Sequence, residues 1–111
     1  MRYITYIPRW YQFLRKDLVW RVKSNSGSKD LYLTFDDGPV PEVTPWVLKQ
    51  LGSYQAKATF FCIGDNARKY PEVLAQVKAG QHALGNHTFN HLKGSETATE
   101  RYLKNYEACA K

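Results

Sequence analysis

Leu31-Tyr32-Leu33-Thr34-Phe35-Asp36-Asp37-Gly38-Pro39 is the stretch from which the fold can be worked out. Leu31, Leu33 and Phe35 alternate with Tyr32, Thr34 and Asp36, the period of two that a strand imposes because successive side chains leave opposite faces. Gly38-Pro39, with Pro41 behind it, forces a turn directly after the aspartates. Neighbouring strand residues diverge, so Asp36 and Asp37 can serve one site only if the strand breaks between or just after them. Two carboxylates this close repel when both are ionised. A cation held by one stabilises its charge and leaves the other free to exchange protons. Asp37 as ligand and Asp36 as base is a workable division, and spacing alone leaves open which is which.

Downstream, strand and helix patterns alternate with short links. Residues 43–51 read as a helix, with Thr44 as its cap, Pro45 in the first turn and Gly52 at the stop. A second strand is predicted over 58–63, and a helix over 66–80 with Val73, Leu74 and Val77 as its apolar stripe. Residues 82–85 form a short third strand, and 97–111 return to a helix. The class is α/β with parallel strands, about three β-α units, and such sheets carry ligands at the carboxyl ends of their strands. The aspartates and a cluster of histidines both fall there.

His87-Thr88-Phe89-Asn90-His91 sets two imidazoles four residues apart, which on a helical turn places them on one side. With one of the two aspartates at a neighbouring strand end, His87 and His91 make a ligand set for a divalent cation that keeps coordination positions open, as a catalytic metal requires. Asn86, Thr88 and Asn90 are candidates to fix the ring tautomers from behind, since a ligating histidine donates its other N–H to an oxygen, while capping a turn is an equally good role for Asn86 and Asn90. His82 sits at an odd offset and reads as structural. Cys62, inside an apolar run, reads as a small buried hydrophobe, and two cysteines without C-x-x-C spacing make no disulfide scaffold.

The bulk properties set limits. The 111 residues suit one domain at most, and 43% hydrophobic with 23% charged residues is the composition of a globular protein. Sixteen basic against ten acidic residues give a net charge of +6, but the cations are scattered, which argues against a nucleic-acid footprint. Residues 1–28 read as an N-terminal amphipathic helix and linker. Trp10, Leu14, Leu18 and Val22 recur at four-residue steps before a Ser- and Gly-containing connector. That helix is expected to pack on the domain, with peripheral contact to a membrane as the second arrangement. Neither a cleavable signal peptide nor a membrane span is visible, so the expected location is cytoplasmic or associated with the cell envelope.

Thr34-Phe35-Asp36-Asp37-Gly38-Pro39 resembles the first motif of the NodB-type polysaccharide deacetylases. Gly85-Asn86-His87-Thr88-Phe89-Asn90-His91 resembles their second, H-[S/T]-x-x-H, and Ala58-Thr59-Phe60-Phe61 between them resembles the second-strand segment. The resemblance implies that 29–111 is the N-terminal part of a distorted (β/α) barrel. It implies a divalent metal, zinc first among the candidates, held by Asp37, His87 and His91. Asp36 would be the base that deprotonates the attacking water, and Thr88 would shape the histidine loop. The implied reaction removes N-acetyl groups from a chitin-like or peptidoglycan-like glycan as acetate.

The family's arginine-proline, tryptophan and leucine-histidine motifs have no counterpart before Lys111. About half a domain is therefore expected, a truncated piece, and a fragment that binds metal or glycan without turnover is the alternative. Self-association through an open sheet edge is a further expectation.

Overall fold

The computed structural model describes residues 7–21, 27 and 30–111, and the chain divides into two units, Met1–Leu31 and Tyr32–Lys111. In the first, the amphipathic helix predicted from the stripe Trp10, Leu14, Leu18 and Val22 is a short α1, Arg9–Leu14. It stops because Arg15 leaves the helical region (φ −111°, ψ 65°) and turns toward Asp17, to which its guanidinium bonds at 2.8 and 2.6 Å. The Trp20 indole then donates to the Arg15 carbonyl at 2.8 Å and sets its ring edge-on to Tyr11. Trp10 and Leu14 therefore lie in the helix and Leu18 beyond it, while Val22 falls outside the described residues.

The second unit runs β1 (Thr34–Asp36), α2 (Val43–Ser53), β2 (Thr59–Cys62), α3 (Gly64–Lys69), α4 (Pro71–Ala79), β3 (Ala83–Asn86), a 3-10 turn at Gly94–Glu96 and α5 (Thr99–Cys109). The three strands are parallel in the order β1-β2-β3. Each new strand is added beside the last without a reversal of order, as at the start of a barrel and unlike the switched order of doubly wound sheets.

β1 is shorter than the alternation suggests. β2 begins at Thr59, so only Leu33, whose carbonyl accepts the Thr59 N–H at 3.0 Å, extends the pairing backward, and Leu31 and Tyr32 are exposed. The helix predicted over 66–80 is two helices. Pro71 pushes the residue before it out of the helical region, and Tyr70 takes φ −128°, ψ 59° between α3 and α4. Thr44 is not the cap of α2 but its second residue, and its hydroxyl accepts the Val40 N–H at 2.9 Å, which closes the turn leading in.

One face of the sheet is covered. Phe60 and Cys62 of β2 join Leu51 of α2, Val77 of α4 and Ala58 in the core, with Leu33, Phe35, Val47, Leu48 and Leu74 packed around them. Phe35 stacks on Phe60 at 5.1 Å. Alternation then sends Thr34 and Asp36 to the opposite face, where both are exposed. That parity is what makes Asp36 available for chemistry.

Candidate metal centre and catalytic base

Asp36 ends β1, in register with Phe61 of β2. Asp37 reverses the chain. Its φ of 67° lies in the left-handed region, which aspartate visits more readily than bulkier residues because its short side chain bonds locally. The reversal, followed by a cis Gly38-Pro39 bond, takes Asp37 out of the strand's alternation. Two hydrogen bonds fix it there: Ile63 N–H to the Gly38 carbonyl at 2.9 Å, and Asn66 Nδ2 to the Asp37 carbonyl at 2.9 Å.

The histidines arrive from the far side of β2. His87 directly follows β3 and donates its N–H to the Cys62 carbonyl at 3.0 Å. The segment after it is a loop, not the helical turn expected from the four-residue spacing. Thr88 (φ 62°) and His91 (φ 56°) are both left-handed, and the Leu92 N–H closes the loop on the Thr88 hydroxyl at 2.9 Å. A β-branched residue in that region is strained by roughly 1–3 kcal/mol. Thr88 is held in it by burial to 4% exposure, by its N–H to Asn86 Oδ1 at 2.8 Å and by the Gly64 N–H to its carbonyl at 3.0 Å.

This loop folds the imidazoles to within 5.0 Å of one another, ring centre to ring centre. Asp37 Oδ1 lies 3.2 Å from His87 Nε2 and 3.1 Å from His91 Nε2, and the ligand atoms of the three residues fall within 4.8 Å of one another. Ligands at 2.0–2.1 Å in a tetrahedron around zinc sit about 3.3 Å apart, so the donor spacing fits a small divalent ion. Two imidazole nitrogens and a carboxylate oxygen also suit such an ion chemically, and three protein ligands leave a position for water or substrate.

Asn86 and Thr88 do not reach the imidazoles. Asn86 Nδ2 donates to the Tyr106 carbonyl at 2.8 Å while its Oδ1 receives Thr88, so both residues shape the loop backbone instead of setting ring tautomers. His82 lies just before β3, where its Nδ1 accepts the Ala58 N–H at 3.3 Å and its ring meets Phe60 edge-on. Burial, followed by the charge of Lys57, lowers its pKa, in keeping with a structural histidine.

Sequence reading missed the first turn of α3. A helix leaves its first N–H groups without partners, and here the histidine loop supplies them: Gly64 and Asp65 donate to the Thr88 and Phe89 carbonyls at 3.0 and 2.9 Å. The next residue, Asn66, holds Asp37. One helical turn therefore ties the carboxylate segment to the imidazole segment. Gly64 could have been suspected, since a glycine directly after an apolar strand marks close approach of backbone. A Cβ there would lie 2.5 Å from Phe89 Cδ2. Nothing in the sequence marked Asn66. Lys69, then Arg68, hold the Asp65 carboxyl below its ordinary range, and the Arg68 guanidinium lies 5.2 Å over the Phe89 ring.

Residues 23–111 match the sequence profile of the polysaccharide deacetylase family. The chain belongs to that family. It is 44% identical over 94 residues to a peptidoglycan-N-acetylglucosamine deacetylase of Bacillus cereus, a match covering 79% of this chain and 43% of that protein. It is 46% identical over 80 residues to a chitooligosaccharide deacetylase of Azorhizobium caulinodans, covering 72% and 37%. The structure of the peptidoglycan deacetylase PdaC from Bacillus subtilis superimposes with a TM-score of 0.68 at 35% identity, over 70% of this chain and 39% of that one. The chain thus spans less than half the length of these relatives. Its three parallel strands and their helices are part of the (β/α) barrel of these enzymes, as the sequence implied. Among the described residues no helix is long and apolar enough to cross a membrane.

Proposed function

We propose that this chain carries the metal-binding and base-bearing part of a hydrolase that removes N-acetyl groups from an amino-sugar polymer. The observation that carries the reading is the meeting of Asp37 Oδ1 with His87 Nε2 and His91 Nε2 at 3.2 and 3.1 Å in a chain of the deacetylase family. Asp37, His87 and His91 hold a divalent cation, zinc by donor chemistry. When bound, that ion polarises the acetyl carbonyl and neutralises charge developing on its oxygen. Asp36, exposed at the end of β1, takes a proton from the water that adds to the carbonyl carbon. The carbon–nitrogen bond then breaks, the nitrogen regains a proton as a free amine, and acetate leaves. Thr88 and Asn86 keep the histidine loop in shape.

Residues 29–111 belong in this reading to a larger barrel domain, with 1–28 as a separate N-terminal segment. The names of the relatives support peptidoglycan and chitooligosaccharide as substrate classes. The test is acetate release from both, with and without added zinc. Asp36→Asn is expected to lower the rate on the order of 10²–10⁴-fold while leaving metal binding intact. Zinc binding without acetate release by the unmodified chain would favour a binding piece without turnover. No zinc binding would remove the hydrolase reading.

A further inference from the structure

The histidine loop has a second anchor, outside every motif that the sequence singled out. Asn105 lies mid-way along α5, and its side-chain oxygen accepts the N–H groups of Phe89 and Asn90 at 2.8 and 2.9 Å. Its Nδ2 donates to Asn90 Oδ1 at 2.8 Å. The Phe89 N–H is shared with the Asn105 carbonyl at 3.2 Å. One side chain thus makes three hydrogen bonds to the two residues immediately before His91. The first turn of α3 binds the carbonyl side of the same segment through Gly64 and Asp65. Carbonyls are held from one helix and amides from another.

We propose that Asn105 is a positioning residue for the metal centre, fixing the loop conformation in which His91 faces Asp37. The inference rests on the proposed metal site and concerns how that site is built. Thr88 and His91 both occupy the left-handed region, so the loop does not hold its shape by local preference and needs outside partners. Asn105 suits the task because its oxygen receives two amides at once while its nitrogen satisfies the facing Asn90. Aspartate would keep the two amide bonds, with the Asn90 amide rotating to donate. Glutamine, one methylene longer, would move the acceptor out of place.

The experiment compares Asn105→Ala, Asn105→Gln and Asn105→Asp in the 111-residue chain. Two readouts are taken: cobalt(II) affinity from the visible absorption of the bound ion, and amide hydrogen exchange of Phe89 and Asn90 in the metal-free chain. Loss of a group that supports a ligand costs about 10–100-fold in metal affinity. A drop of that size is expected for Ala and Gln, together with at least tenfold faster exchange at Phe89 and Asn90 and unchanged exchange in β2. Asp is expected within a few-fold of the unmodified chain in both. Should Ala fail to fold, Gln and Asp still decide. Unaltered affinity or exchange in Gln, or an Asp variant as impaired as Gln, would overturn the proposal. If the unmodified chain binds no cobalt, the metal reading fails, while exchange at Phe89 and Asn90 still judges the clamp.

Discussion

Gly64→Ala probes the idea that one helical turn couples the two halves of the site. The new Cβ would stand 2.5 Å from Phe89 Cδ2 and 3.2 Å from the Cα atoms of Phe89 and Cys109. Carbon atoms in ordinary contact are about 3.5–4.0 Å apart, so the ring must retreat by roughly 1 Å and two backbones by a few tenths. A ring alone can turn aside. The backbone contacts cannot be relieved that way, because Phe89 is in the histidine loop and Cys109 ends α5. Overpacking of this kind costs about 1–3 kcal/mol, which in a unit of this size lowers the melting temperature by roughly 4–8 °C per kcal/mol. The metal site has less tolerance, since ligand distances hold to about 0.2 Å. We expect Gly64→Ala to lose at least tenfold in zinc affinity by titration calorimetry. Gly52→Ala, in α2 with nothing within 4 Å of the added carbon, should be neutral or stabilising by up to about 1 kcal/mol and bind zinc normally. Equal zinc affinity in the Gly64 variant and the unmodified chain would refute the coupling.

The remaining expectations concern protons and the ion. The pKa of His82 is held below its ordinary value of 6.5 by burial and then by Lys57, so the native state binds fewer protons there than the unfolded chain. Its contribution to stability is full above about pH 6.5 and is lost as pH falls toward the lowered folded value. His82→Asn offers an acceptor to the Ala58 N–H without titrating, and should flatten this part of the stability profile measured by urea unfolding between pH 5 and 7; an unchanged slope would count against the assignment. Zinc at about 100 times its dissociation constant should stabilise the chain by roughly 2.7 kcal/mol, and chelation should remove the gain. Asp37→Ala should show no such gain, and a full one would place the ion elsewhere.

The parts of the fold and site legible in the sequence are those set by local pattern. Alternation in 31–36 located β1 and the parity that exposes Asp36, and strand-helix alternation gave the parallel sheet. Asp37, His87 and His91 stood out because few residue types bind metal and three motifs appeared in family order. The break at Tyr70 went unread, and one helix was expected over 66–80, although Pro71 disfavours the helical region for the residue before it. Other features depend on distant partners. The end of α1 at Leu14 follows from Arg15 turning to Asp17, with Trp20 bonding the Arg15 carbonyl, and the left-handed Thr88 and His91 run against their own preferences. Asn66 and Asn105 are ordinary helical residues in sequence, and their roles exist only once α3 and α5 face the two loops.

X-ray absorption at the zinc edge of the loaded chain tests the central claim most directly. One ion per chain, with two imidazole nitrogens and a carboxylate oxygen near 2.0–2.1 Å and lost in Asp37→Ala, is the outcome this account requires. Sulfur in the coordination shell, or zinc retained unchanged without Asp37, would contradict it.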